Sequence, residues 1–375
     1  MAKKAKETKA GRVSMQDLMN LVNKKAGRHV AHDLTGENPT EVKEWISTGS
    51  RWLDSIVCKG QVAGIPVGKV SELAGLTSTG KSYMAAQIAA NAQKQGKIVV
   101  YFDSESAIDP DFLERAGCDL GRLMYIQATS VEFVLETIEE LLGASDDQLL
   151  FIWDSLAFTP SVSDVEGDFN PQSSMAVKAR ILAKGMSKLV IPIADKQATL
   201  LVLNQLKTNI PSGPNARIIA MTTPYMTPGG KALHYSYSLR IWLTGRKAKT
   251  AFVEDEKGFR IGSEVKAKIE KSRFGTQGRN CAFRILWGTE DVGINDEESW
   301  FDAVKSSEYL KSAGSWYTLE MPDGYTKKFQ PSRWSEIIKA DEEFRNKIVQ
   351  LMDEEVVQKF DKRVGKAEDF YNDSK

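Results

Sequence analysis

The chain has 375 residues, 42% of them apolar and 27% charged, ordinary values for a folded protein able to bury a sizeable core. Fifty Lys and Arg balance fifty Asp and Glu, so net charge points to no polyanion partner and any nucleic-acid surface has to be local. No apolar run is long enough to span a membrane, the start MAKKAKETKAGR lacks the apolar core of a secretory leader, and Cys58, Cys118 and Cys281 show no metal spacing, so a cytosolic protein with buried thiols is expected.

Residues 1–12 carry five basic side chains, and both a solvated tail and a DNA-touching arm fit them. Ser14 to Asp17 then read as a capping box, with Leu18, Leu21 and Val22 on one face of a short helix. Next comes an apolar run, Val70 to Ala74, then the loop Gly75-Leu76-Thr77-Ser78-Thr79-Gly80-Lys81-Ser82, then a helix-compatible stretch from Tyr83 to Gln95. Strand, glycine loop and helix in that order are what a phosphate cradle requires: glycines let backbone N–H groups turn inward, and the new helix aims its positive end at the anion. Lys81 would reach the β- and γ-phosphates and Ser82 would offer its hydroxyl to Mg²⁺.

From there apolar and amphipathic segments alternate. KIVVYFD (97–103), LMYIQ (123–127), LLFIWD (149–154) and ATLLVLNQ (198–205) read as strands. Helical patterns lie between them at 110–117, at 130–142 with Val131, Val134, Leu135, Ile138, Leu141 and Leu142 on one stripe, and at about 173–193. The alternation predicts an α/β fold with a mostly parallel, buried sheet. After about residue 236, SYSLRIWLTG, EVKAKIEKSR and CAFRILWG read as antiparallel strands extending it. Beyond about 295, Trp300, Tyr309, Leu310, Trp334, Ile337, Ile338, Phe344, Ile348 and Leu351 suggest a small helical unit. The expected division is a tail and helix at 1–45, an ATPase core at 46–290 and a small unit at 291–375.

Asp154 ends a buried strand, where open parallel sheets bind ligands, and is a candidate partner of the metal; the competing reading is a helix cap or turn. Glu105 lies just past another strand, within reach of a water attacking a γ-phosphate, though a glutamate in such a place, taken alone, is more often a solvated loop residue. Between Lys196 and Val253 there is no acidic residue, while Lys196, Lys207, Arg217, Lys231, Arg240, Arg246, Lys247 and Lys249 make a local electropositive stretch. It contains LKTNIPSGPNARIIAMTTPYMTPGG, a long loop that would not pack as a regular element. Ile210, Ile218, Ile219, Met221, Tyr225 and Met226 there would wedge between bases or cover a subunit interface, while Lys207 and Arg217 neutralise phosphates.

Taken together, STGSRWLDSIVCKG, GIPVGKVSELAGLTSTGKS, YFDSESAIDPDFLERAG, LLFIWDSLAFTP, LLVLNQLKTNI, TPGGKALHYSYSLRIWL and KIEKSR follow one another as in the RecA family of homologous recombinases, and the chain resembles that family from about 13 to about 335. The resemblance implies an ATP- and Mg²⁺-dependent, DNA-stimulated ATPase that forms helical filaments on single-stranded DNA and exchanges strands with a homologous duplex. A single-strand-binding protein and a loading mediator are its implied partners in a bacterial or phage-infected cytosol. Residue by residue, it makes Gly75, Thr77, Ser78, Thr79, Gly80, Lys81, Ser82 and Tyr83 the nucleotide loop, Glu105 the catalytic glutamate, Asp109 and Phe112 adenine contacts, and Asp154 the metal-side aspartate. Gln205 becomes the sensor of the γ-phosphate, and Lys271 and Arg273 cations reaching a neighbour's ATP, with arginine in place of a second lysine. Loops at about 160–171 and 206–229 become DNA loops, with Lys207, Asn209, Arg217, Ile218, Met221, Thr222, Gly229 and Gly230 as contacts.

The first loop departs from the family by holding Asp164, Glu166 and Asp168, which leaves phosphate binding there to backbone amides and Ser161 or Ser163. That loop, and the mixed-sign tail, make a bacteriophage-type member as compatible as a bacterial one. A hexameric helicase of the same core fold and a non-hydrolysing mediator are the rival readings. A closed ring would want arginine fingers and a different amino-terminal domain, and the presence of Glu105, Asp154 and Gln205 argues against lost hydrolysis.

Overall fold

The computed structural model describes residues 13–33, 40–58, 60–167, 175–245, 251–288 and 292–357. The basic tail at 1–12, the end of the first loop, Arg246, Lys247 and Lys249, and the tail beyond 357 lie outside the described residues. The chain divides into Met1–Val42 and Lys43–Lys375. In the first unit, helix α1 (Met15–Ala26) begins at the Ser14/Asp17 capping box and ends at Gly27, whose φ of 67° is left-handed. None of its residues is buried; Leu18, Leu21 and Val22 stand exposed.

The second unit is built on one ten-stranded sheet. Its strands, with the helices between them, are β1 (Val70–Gly75), α3 (Lys81–Lys94), β2 (Ile98–Asp103), α4 (Pro110–Arg115), β3 (Leu123–Gln127), α5 (Val131–Ala144), β4 (Leu149–Asp154), α6 (Val162–Glu166), α7 (Met175–Asp195), β5 (Thr199–Gln205), α8 (Ala216–Thr222), α9 (Gly230–Ser236) and β6 (Leu239–Gly245). Then come β7 (Phe252–Glu254), β8 (Arg260–Ser272), β9 (Asn280–Leu286) and β10 (Gly293–Asn295). Helix α2 (Arg51–Val57) precedes them. The order across the sheet is β10-β9-β8-β6-β1-β5-β4-β2-β3, with β7 on β8.

Six neighbouring strands, β6 to β3, run parallel. Both faces are covered, so alternate residues of one strand enter different cores: Leu150 and Ile152 join α3, while Leu149, Phe151 and Trp153 join α5 and α7. The β6 segment differs from its sequence reading. It runs parallel to β1 and antiparallel only to β8, because α9 packs on the α7 side and returns the chain in the same direction.

The carboxy-terminal region carries the expected helices, α10 (Trp300–Val304), α11 (Trp334–Ala340) and α12 (Glu342–Glu355). It also holds a three-stranded antiparallel sheet, β11 (Leu310–Ala313), β12 (Trp316–Glu320) and β13 (Thr326–Phe329), that apolar spacing alone did not reveal. Phe301, Tyr317, Phe329, Trp334 and Phe344 bind sheet and helices together, with ring centroids 5.0 Å apart for Phe301 and Tyr317 and 5.5 Å for Trp334 and Phe344.

Candidate functional site

Strand register gathers the site. Gly75 pairs with Gln205 and Asp103 with Asp154, so β1, β5, β4 and β2, adjacent in the sheet, all end at one edge. The loop between β1 and α3 uses left-handed backbone at Ser78 (φ 59°) and Gly80 (φ 82°). At Gly80 this left-handed backbone, rarely adopted by a residue with a Cβ, is the demand that glycine answers. Thr79 Oγ1 donates to the Leu76 carbonyl at 2.8 Å, closing the loop on itself. Lys81 Nζ donates to the carbonyls of Gly75 (3.3 Å) and Leu76 (3.0 Å). Burial lowers the Lys81 pKa, while the carboxylates of Asp154 and Glu105 pull it back up.

Ser82 Oγ donates to Asp154 Oδ2 at 2.8 Å, and Tyr101 OH donates to the same oxygen at 2.9 Å. Burial raises the Asp154 pKa; these two hydrogen bonds oppose the shift, and the charges of Glu105 and Asp103 add to it. A site with too much negative charge and one serine hydroxyl suits a hard divalent cation that brings its own oxygens. Among the described residues no three His, Cys, Asp or Glu converge as a ready-made metal cage.

Glu105 Oε1 accepts from Ser155 Oγ at 2.8 Å, and the peptide bond joining Asp154 to Ser155 is cis. The turn carrying Glu105 is fixed by a residue that sequence reasoning passed over. Asp103 Oδ1 accepts from the Glu105 N–H at 2.8 Å, and Asp103 Oδ2 accepts from Ala107 (2.9 Å) and Ile108 (3.2 Å). The signal was present as an aspartate at the end of a buried strand followed by Ser and Ala, the pattern of a side chain that nucleates a turn. A cavity of about 240 Å³ is lined by Ser82, Asp103, Glu105, Ala107, Ile108, Phe112 and Asp154. Phe112 meets Tyr83 edge-on, centroids 5.0 Å apart. Asp109 stands outside that lining as the cap of α4, accepting from the Asp111 N–H at 3.1 Å.

On the next strand, the Gln205 N–H donates to Asn204 Oδ1 at 3.0 Å, and Asn204 Nδ2 reaches the buried Glu72. Lys271 and Arg273 lie together at the carboxyl end of α9: Lys271 Nζ donates to the His234 carbonyl at 2.7 Å and Arg273 Nη2 to the Tyr235 carbonyl at 2.7 Å. Burial and the charges of Arg273 and Arg240 lower the Lys271 pKa.

The model of the RecA N-terminal domain matches residues 13–294. The chain is 30% identical over 283 residues to a protein RecA of Colwellia psychrerythraea, covering 76% of each chain. It is 30% identical to one of Bifidobacterium breve, covering 80% of this chain and 71% of the other. To one of Fusobacterium nucleatum it is 32% identical, covering 82% and 75%. The chain belongs to the RecA family. It is therefore an ATP-dependent recombinase of homologous recombination and repair, a DNA-dependent ATPase like other members of that family. The family acts on DNA, forms filaments and binds nucleotide with a divalent metal. No helix among the described residues is long and apolar enough to cross a membrane.

The loops that follow β4 and β5 leave the same sheet edge. The second is more ordered than its composition suggested: Lys207–Thr208 pairs with Tyr225–Met226, and residues between them form α8. Asn209 staples it, its Nδ2 donating to the Thr223 carbonyl at 2.9 Å, and Thr222 Oγ1 bonds back to the Ile218 carbonyl. Ile210, Ile218, Met221 and Met226 are exposed, as are Lys207, Arg217 and Lys231. Gly229 (φ 108°) and Gly230 (φ 82°) turn the chain into α9.

Two basic residues leave the electropositive stretch. Arg240 is buried against Glu72 with Nε 2.6 Å from Oε2, and Lys196 pairs with Asp146 at the opposite end of β5. In the first loop, Ser161 and Asp164 form a reciprocal cap at the start of α6, and the Val162 N–H donates to Glu132 at 3.0 Å, so Asp164 has a local structural role. Lys178 of α7 holds the root of that loop by donating to the carbonyls of Leu156 (2.9 Å) and Thr159 (2.5 Å).

Proposed function

We propose that this chain binds ATP with Mg²⁺ in the Lys81 loop and couples hydrolysis to assembly on single-stranded DNA, homologous pairing and strand exchange. The observation that carries it is the single sheet edge on which Lys81, Ser82, Asp154 and Glu105 meet, with Gln205 one strand away at the root of the exposed second loop. Lys81, released from the loop carbonyls, holds the β- and γ-phosphates, and the N–H groups at the start of α3 complete the cradle. Ser82 and, through water, Asp154 would hold Mg²⁺, which would supply positive charge to neutralise the phosphates.

Glu105, oriented by Ser155 and by the turn that Asp103 fixes, takes the proton of the attacking water. Phe112 offers its ring to adenine and Asp109 a carboxylate to its amino edge. Gln205 senses the γ-phosphate and passes its presence to the loop that follows. Lys207 and Arg217 meet DNA phosphates, and Ile218 and Met221 pack between bases. Lys271 and Arg273 complete a neighbouring subunit's site, so charge developing in the transition state is neutralised only after assembly. The exposed apolar stripe of α1 supports docking on that neighbour.

The test is ATP turnover with and without single-stranded DNA. Strong stimulation is expected, and turnover indifferent to DNA would return the site to a generic phosphate-loop motor.

A further inference from the structure

A buried ion pair lies between the nucleotide edge and the second loop. Glu72 in β1 and Arg240 in β6 are directly paired in register, their side chains 0% and 8% exposed. Packing alone would be served as well by two apolar residues, since desolvating both charges offsets most of their attraction. Beside the Tyr237 and Trp242 rings that Arg240 lies over, two further partners, Asn204 and Thr227, stand at functional edges. Asn204 Nδ2 donates to Glu72 Oε1 at 3.0 Å and to the Pro228 carbonyl at 3.1 Å, while Asn204 Oδ1 accepts from the Gln205 N–H. Arg240 Nη2 donates to Thr227 Oγ1 at 2.9 Å, and Thr227 Oγ1 lies 3.0 Å from His234 Nε2. His234 in turn offers its main-chain carbonyl to Lys271. One connected network thus touches the residue where the second loop begins, the two where it ends, and the platform of the intersubunit cations.

We propose that the Glu72–Arg240 pair is the positioning device through which occupancy of the second loop by DNA alters the nucleotide site. Asn204 is shared between the two: any displacement of Pro228 when the loop engages DNA must re-aim the Asn204 amide, and with it the Gln205 backbone. Thr227, tied to Arg240, carries the same displacement to His234 and Lys271. A hydroxyl both accepts and donates, so Thr227 can take the Arg240 hydrogen bond and still bond His234 Nε2, a contact that fits a neutral ring. The His234 pKa is indeed lowered to about 4 by burial, Arg240 and Lys271.

This inference rests on the recombinase reading above. Its test measures DNA-free and DNA-saturated ATP turnover, and ATP affinity with and without single-stranded DNA, in the wild type, Glu72→Gln, and the charge-free double variant Glu72→Gln/Arg240→Gln. The expected result is unchanged DNA-free turnover with DNA stimulation reduced about tenfold, and a matching loss of the mutual tightening of DNA and ATP binding, since coupling is reciprocal. A purely structural pair would lower the thermal midpoint and leave the stimulation ratio intact, which would overturn the proposal. If the double variant does not fold, the ratio in Glu72→Gln decides alone, because glutamine keeps the size and the acceptor for Asn204. A wild type stimulated by DNA beside equally stimulated variants removes the coupling role and spares the function, whereas an unstimulated wild type removes both.

Discussion

Replacing Glu105 by glutamine isolates its proposed chemistry from its packing. Glutamine has the same length, and its amide oxygen can accept the Ser155 hydroxyl now bound at 2.8 Å, so the side chain should stay in place. Glu105 is exposed, so the stability change should stay within about 0.5 kcal/mol. The charge matters more. Glu105 is one of two carboxylates supporting the Lys81 ammonium, and Asp154, the stronger of the two, remains. Removing Glu105 also relieves repulsion on Asp154, whose pKa is raised by burial first and by its acidic neighbours after that. Nucleotide affinity should therefore change only a few-fold. The lost base should cost about 10²- to 10⁴-fold in the chemical step, about 3–5 kcal/mol of barrier. Single-turnover ATP hydrolysis on saturating single-stranded DNA, read beside equilibrium binding of a fluorescent nucleotide, separates the two. A hydrolysis rate within twofold of wild type would refute the assignment of Glu105.

Two further predictions follow from other parts of the molecule. Lys271→Ala and Arg273→Ala should each lower DNA-stimulated turnover by at least about tenfold while the isolated subunit binds nucleotide normally; a normal rate in the assembled state would show that the pair serves only to cap α9. Asp54, wholly buried beneath Ser47 and Thr48, has a pKa raised from 3.8 to about 7, chiefly by burial. The folded carboxyl thus keeps its proton where the unfolded one has ionised, so this contribution is whole below about pH 3.8 and is lost as pH rises to about 7, at most about 4 kcal/mol. Asp54→Asn should therefore gain on wild type by about 2 kcal/mol between pH 5 and 7.5 in chemical denaturation, and parallel pH curves for the two proteins would contradict the burial argument.

The parallel core was legible because each of its strands is a short apolar run between helical periods, and LMYIQ and LLFIWD fall on β3 and β4 residue for residue. Direction was harder: SYSLRIWLTG reads alike whether it runs parallel or antiparallel, and only the crossover by the seven-residue α9 decides it. Short strands such as those from Leu310 to Phe329 fall below the length at which alternation separates from noise. At the site, the phosphate loop announces itself through glycine spacing and Asp103 through the turn that follows it in sequence, whereas Lys178 acts on carbonyls brought near by the fold and leaves no spacing to read. Charge counting failed at Arg240 for a related reason. Its partner Glu72 lies far upstream in sequence, so a stretch free of acids still contained a neutralised base.

The most direct test of the account is a strand-exchange assay: circular single-stranded DNA and linear duplex are mixed with the protein, ATP and Mg²⁺, and joint molecules are resolved on a gel while the same mixtures are imaged by electron microscopy. The account predicts joint molecules that require both ATP and sequence homology, formed by helical filaments. Closed rings that unwind duplex regardless of homology, or filaments that never pair homologous strands, would contradict it.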